Sequence, residues 1–120
     1  MEKDFVTYEQ AKELFDMGLR VPIAIRGYTC QYNEMILTDN VYDGLYTLEA
    51  PLKSQAFRWF REEYGLYPYI VFNIKNNLWI SEWCKTNGNF QVLNSCETYE
   101  QAESICIDAL IEMVKLSNSN

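Results

Sequence analysis

Ala50-Pro51-Leu52-Lys53-Ser54-Gln55-Ala56-Phe57-Arg58-Trp59-Phe60-Arg61-Glu62-Glu63-Tyr64-Gly65 holds a helix start, an amphipathic face and a helix stop in one run. Pro51 suits a first helical turn, where its missing N–H costs nothing. At 100° per residue, Leu52, Ala56, Phe57, Trp59, Phe60 and Tyr64 fall within an arc of about 160°. Ser54, Gln55, Arg58, Arg61 and Glu62 occupy the remainder. Gly65 is placed for the left-handed residue that closes a helix. The spacing predicts a helix over 51–64, and an apolar face this wide needs a sheet to lie on.

The next thirty residues supply one. Residues 69–75, 78–84 and 90–94 read as three strands joined at Asn76-Asn77 and by a turn containing Asn87-Gly88. Asn-Gly is a strong hairpin signal, since both residues of the tight turn need positive φ. Two-residue turns pair Ile74 with Trp79, Phe72 with Ser81 and Ile70 with Trp83, and place Val92 opposite Trp83. One face then carries Ile70, Phe72, Ile74, Trp79, Trp83 and Val92, the expected core. Its reverse carries Tyr69, Val71, Ile80 and Leu93 among Asn73, Lys75, Glu82 and Gln91. That reverse face is too apolar to sit comfortably in water, so a cover for it is expected.

A short repeat brackets the chain: Thr7-Tyr8-Glu9-Gln10-Ala11 recurs as Thr98-Tyr99-Glu100-Gln101-Ala102. In each, a Thr is followed three residues later by Gln, the arrangement in which hydroxyl and amide side chain satisfy each other's orphan backbone groups. Both copies predict helix starts. The first helix has Tyr8, Ala11, Leu14 and Phe15 on one face and Gly18 at its end. The second has Tyr99, Ala102, Ile105, Cys106, Ala109, Leu110 and Met113. Between the first helix and the central one, residues 21–26 and 34–38 read as strands with 28–33 connecting them. Residues 39–44 read as a turn, and 45–48 as a short extended piece.

The totals bound the function. A 120-residue chain with 48% apolar and 15% aromatic residues builds a core. One α+β domain over 1–116 with a frayed tail at 117–120 is expected. The net charge of −7 argues against direct nucleic-acid binding, which needs a basic face. It favours solubility, a basic protein partner or mimicry of a polyanion. Met1-Glu2-Lys3-Asp4 opens with charge, and no apolar run of signal or membrane length follows, so a cytoplasmic protein is expected. Cys30, Cys84, Cys96 and Cys106 are widely spaced and expected to be free thiols, without the paired knuckles of a zinc site.

The chain contains no histidine. That removes the Ser-His-Asp and Cys-His mechanisms and the usual proton shuttle near neutral pH. Asp39, Asp43, Gly44 and Glu49 superficially suggest a calcium loop, but Val41 and Ala50 stand where oxygen ligands are required. Glu34, Glu49, Glu62 and Glu63 have no spacing that assembles an acid–base pair. Trp79 and Trp83, roughly 13 Å apart at strand rise, could form an aromatic platform but share the core face. No catalytic, cofactor or metal site is expected.

Two surface readings remain. Arg58 and Arg61 could hold an anion or a partner's carboxylate, or they form a solvated charged face. Ile107, Ile111 and Val114 make an i, i+4, i+7 stripe beside the main apolar face of the last helix. A helix apolar on two sides is either deep in its own domain or packed on a second molecule, so the stripe is a candidate self-association surface.

The central motif resembles that of short, uncharacterised bacterial and prophage-associated proteins. In these, Pro-x-x-x-Gln-Ala leads into Trp-Phe/Leu-Arg-Glu and an aromatic-Gly stop. Pro51, Gln55, Ala56, Trp59, Phe60, Arg61, Glu62, Tyr64 and Gly65 carry the match, and a Lys commonly stands where this chain has Glu63. The flanking Tyr-Glu-Gln-Ala helices resemble that family's ends, so the likeness covers the chain in layout and is specific in the central sixteen residues. It implies a mobile-element setting and an α+β domain, and no reaction.

The expected fold is α+β, with three helices packed mainly on one face of an antiparallel sheet that includes the meander. The leading functional expectation is a non-enzymatic interaction module of phage or mobile-element origin, with a protein partner or a second copy of itself. The alternatives are an acidic inhibitor that mimics nucleic acid, and a small-ligand or peptide binder using exposed aromatics.

Overall fold

The computed structural model describes residues 2–21, 26–31, 34–38 and 48–118. The protein is α+β, with three α-helices and two antiparallel three-stranded sheets. Its contacts divide it into two compact units, Met1–Lys53 and Ser54–Asn120, where the sequence reading expected one domain. The turn at 39–44, and most of the strand expected at 21–26, lie outside the described residues.

The first unit opens with a 3-10 turn, Glu2–Asp4, and helix α1, Tyr8–Met17. Thr7 Oγ1 accepts from the Gln10 N–H at 3.1 Å, and Gln10 Oε1 accepts from the Thr7 N–H at 2.9 Å. The helix therefore starts where the Thr-x-x-Gln spacing requires. Gly18 ends it at φ 112°, a conformation that lacks the Cβ penalty only in glycine. Strands β1 (Arg26–Gln31), β2 (Glu34–Thr38) and β3 (Leu48–Ala50) follow, in the order β2-β1-β3.

Strand β1 occupies residues read from sequence as a connection. Its centre is Gly27-Tyr28, where Gly27 pairs with Thr38 on one side and Glu49 on the other. Tyr28 is buried, and its hydroxyl donates to the Val6 carbonyl. That long-range anchor, invisible in local pattern, draws the segment into the sheet. Phe5 bridges Leu52, the Val6 N–H reaches the Pro51 carbonyl at 3.1 Å, and α1 lies against β3.

Helix α2 spans Lys53–Tyr64, not 51–64. Leu52 is held extended by its bridge to Phe5, so the helix can begin only after it. Ala56, Phe57 and Phe60 are buried, Trp59 is half-buried and Tyr64 exposed. Trp59 packs edge-on against Phe60 and Tyr64, each with ring centroids 5.3 Å away. Gly65, at φ 64°, closes the helix as its spacing predicts.

The meander of β4 (Leu66–Asn73), β5 (Leu78–Lys85) and β6 (Phe90–Cys96) forms with two corrections of register. In the first hairpin Phe72 pairs with Trp79 and Ile70 with Ser81. The turn has four residues, not two. Asn73 Oδ1 accepts from the Lys75 N–H and Asn76 Oδ1 from the Leu78 N–H, while Asn77 takes φ 58°. Because side chains alternate with period two, a slip of two residues leaves the paired side chains on their expected faces, but it moves Ile74, expected in the core, into the turn, where it is 81% exposed.

The second hairpin slips by one, which does change faces. The Gly88 N–H bonds the Lys85 carbonyl and the Lys85 N–H bonds the Asn89 carbonyl. This three-residue loop has only Gly88 at positive φ. Val92 consequently stands opposite Glu82, not Trp83, and leaves the core face. An irregularity between Ile80 and Glu82 restores the expected register beyond it, with Trp79 opposite Cys96.

Helix α3, Tyr99–Asn118, lies on the meander. Its Thr98–Gln101 box is made in both directions. The helix runs past 116 into the expected tail, where the Ser117 hydroxyl bonds the Met113 carbonyl. Ser81, fully buried on β5, donates its hydroxyl to the Ala102 carbonyl, and the Cys106 thiol lies 3.5 Å from the Glu82 carbonyl. These contacts fix which face of the sheet the helix covers.

Candidate functional site

Pairing puts Leu66, Pro68, Ile70 and Phe72 on the α3 side with Trp79, Ser81 and Trp83. Alternation then turns Tyr67, Tyr69 and Val71 of β4, with Ile80, Glu82 and Cys84 of β5, to the other side. The slip in the second hairpin adds Phe90 and Val92, paired with Cys84 and Glu82. Tyr67, Tyr69 and Val71 are 38, 37 and 41% exposed, and Val92 and Phe90 are 51 and 68% exposed. The result is an aromatic and aliphatic sheet face open to water.

Glu82, in the middle of this face, is engaged. Glu82 stands opposite Tyr69 across the strand pair, and its proximity, through hydrogen bonding first and its charge as well, together with desolvation, pushes the Tyr69 phenol above its ordinary value.

The thiols offer no nucleophile on the covered side. Burial pushes Cys106 up to about 12 and raises Cys96, so both are protonated near neutral pH. Cys84, Cys96 and Cys106 are free, and among the described residues no group of three or more His, Cys, Asp or Glu side chains could hold a metal. Among the described residues the carboxylates do not converge either. Glu49 accepts from the Val21 N–H, Glu62 pairs with Arg58, and Glu63 is exposed.

Two concavities lined by described residues offer little. In the first unit an open groove of about 810 Å³ lies beside Phe5, Thr7, Tyr8, Tyr28, Met35 and Lys53, where Tyr8 and Tyr28 meet edge-on at 5.7 Å. In the second unit a depression of about 140 Å³ lies beside Tyr64, Leu66, Met113 and Val114. Neither gathers the convergent polar groups of a small-molecule site.

The expected surface residues are placed differently. Ile107, Ile111 and Val114 are 0, 4 and 3% exposed. A stripe already buried in the chain has no area left for a second copy, so the deep-helix alternative holds. Arg58 Nε lies 2.8 Å from Glu62 Oε1 one helical turn away, with both side chains largely in water. Arg61 is exposed. This is a solvated helix face, and an exposed pair of this kind contributes little to stability. Trp83 is buried, and Trp79 sits between Phe72 and Tyr99 at centroid distances of 4.7 and 5.2 Å.

Sequence reasoning identified this face but expected a cover for it, whereas Tyr69 and Val71 stand exposed, and it missed the face's most exposed members. Phe90 and Val92 depend on one residue of loop length. Tyr67 lay outside the expected strand, although Tyr-Pro-Tyr, with aromatics alternating about an edge-compatible proline, carried the signal.

No protein-family model, curated protein or solved structure matches this chain.

Proposed function

We propose that this chain is a non-enzymatic protein-interaction module whose working surface is the open face of the β4–β5–β6 meander. The observation that carries the reading is the exposure of Tyr67, Tyr69, Val71, Phe90 and Val92 on one sheet face. Taking about 200 Å² for each aromatic side chain, these five leave roughly 400 Å² of apolar surface in water. That is within the range of about 300–600 Å² at which a monomer's largest apolar patch is often functional. Burying it would contribute about 10 kcal/mol at about 25 cal/mol/Å². Association costs about 4–15 kcal/mol, so the face suits a reversible partner. The likeness of the Pro51–Gly65 motif to prophage-associated proteins supports a mobile-element setting.

The test is affinity capture from a bacterial lysate with three baits: wild type, Val71→Lys and Arg61→Ala. The reading expects a captured protein that Val71→Lys loses and Arg61→Ala keeps. Equal capture by wild type and Val71→Lys, or none by either, overturns it. A small-ligand reading would need an accessible indole pocket, which the burial of Trp83 and the flanking of Trp79 do not favour.

A further inference from the structure

The two edges of the meander differ. The outer strands are β4 and β6, and among the described residues neither pairs on its outer side. The Lys85 N–H bonds the Asn89 carbonyl, which sets the alternation of the second hairpin: Gln91 turns its backbone groups inward to Trp83, and Phe90 and Val92 turn theirs outward. Trp83 thus serves β6 with its N–H and C=O. Pro68, opposite Trp83 on β4, places its missing N–H on the outer edge. The β4 edge is therefore interrupted where a pairing strand would need a donor.

The β6 edge has no such block. Phe90-Gln91-Val92-Leu93-Asn94-Ser95-Cys96 contains no proline and no charged residue, although the chain carries 27 charged side chains. Natural sheets guard open edges with Lys, Pro, inward charges or bulges, and here only the local irregularity opposite Ser81 serves. Six of the strand's seven residues are exposed or half-exposed, with Phe90 and Val92 the most exposed apolar side chains of the sheet proper.

We propose that β6 pairs antiparallel with β6 of a second copy about a two-fold axis near Val92, joining two meanders into one continuous sheet. A two-fold edge pairing needs the same segment to be self-complementary, and an uncharged segment is the place where two copies of net charge −7 meet without opposed carboxylates. Main-chain hydrogen bonds supply the affinity, and Phe90 and Val92 of both copies pack side by side on the open face. The pairing rests on the edge and not on the identity of any partner of the face.

Sedimentation equilibrium of the full chain across low to high micromolar concentrations tests it, with Val92→Pro and Val92→Lys. Val92→Pro deletes an outward N–H and leaves the internal ladder intact, and Val92→Lys adds the charge that guards natural edges. Circular dichroism reports whether each folds, and Val92→Lys serves if the proline variant does not. Wild type should dimerise, and each folded variant should weaken the dimer by about tenfold or more, the equivalent of one lost main-chain bond and its packing. A wild type monomeric at every concentration overturns the proposal, as does a dimer that folded Val92→Pro or Val92→Lys leaves unchanged. Both results are independent of the capture experiment.

Discussion

Replacing Ile111 with Ala separates a helix buried within its own chain from one that stores its apolar side for a second molecule. Ile111 is 4% exposed, among neighbours on α3 that include Ile107 and Val114 at 0 and 3%. Truncation at such a site loses the transfer free energy of three carbons and leaves a cavity, for a cost of about 2–5 kcal/mol. For a chain of this size, each kcal/mol moves Tm by roughly 3–6 °C, so a fall of about 6–30 °C is expected. Thermal unfolding followed by circular dichroism, at two protein concentrations differing a hundredfold, measures it. The difference between wild type and Ile111→Ala should be the same at both, because the lost contacts are intramolecular. A Tm unchanged at low concentration, or a loss that appears only at high concentration, would refute the burial argument. Ile111→Asp should unfold the chain, since a carboxylate there has neither water nor a partner.

Two further outcomes follow from the same geometry. Cys106 is held protonated by burial, its folded pKa raised from 9.0 to about 12. A raised thiol pKa contributes stability that is full below the unfolded value and disappears as pH climbs through the folded one. Urea midpoints should therefore fall more steeply between about pH 9 and about 12 in wild type than in Cys106→Ala. Gly65→Ala should cost about 1 kcal/mol by urea titration, because φ is 64° while the space where a Cβ would sit is empty. A loss well above that would mean the position is sterically closed.

The helices were legible because their signals are local. Thr7 with Gln10 and Thr98 with Gln101 are complete start signals within four residues, and Gly18 and Gly65 are stops whose φ values bear out their spacing. The meander was legible in its side-chain alternation, which survives a two-residue slip. It was not legible where one residue of loop length decides: the bonds of Lys85 with Gly88 and Asn89 moved Val92 out of the core and onto the open face. Strand β1 escaped because its place is set by the long-range bond from Tyr28 to Val6. Whether Ile107, Ile111 and Val114 face a neighbour or the interior is likewise a question of packing. Periodicity assigns a side chain to a helix face and says nothing about what covers that face. On the apolar face of the central helix Phe60 is buried and Trp59 half-buried, whereas Phe72, placed on the expected core face of the meander, is only partly covered. Phe72 remains 39% exposed, with its ring against Trp79 at 4.7 Å.

One face of the meander lies under α3 and the other stands in water. Solvent paramagnetic relaxation, read on assigned methyl and aromatic protons with a neutral soluble relaxation agent, tests that division residue by residue. Val71, Phe90 and Val92 should relax strongly in a dilute sample, and Ile107, Ile111 and Val114 weakly. Strong relaxation of the three helix residues, or protection of all three strand residues in the monomer, would contradict it.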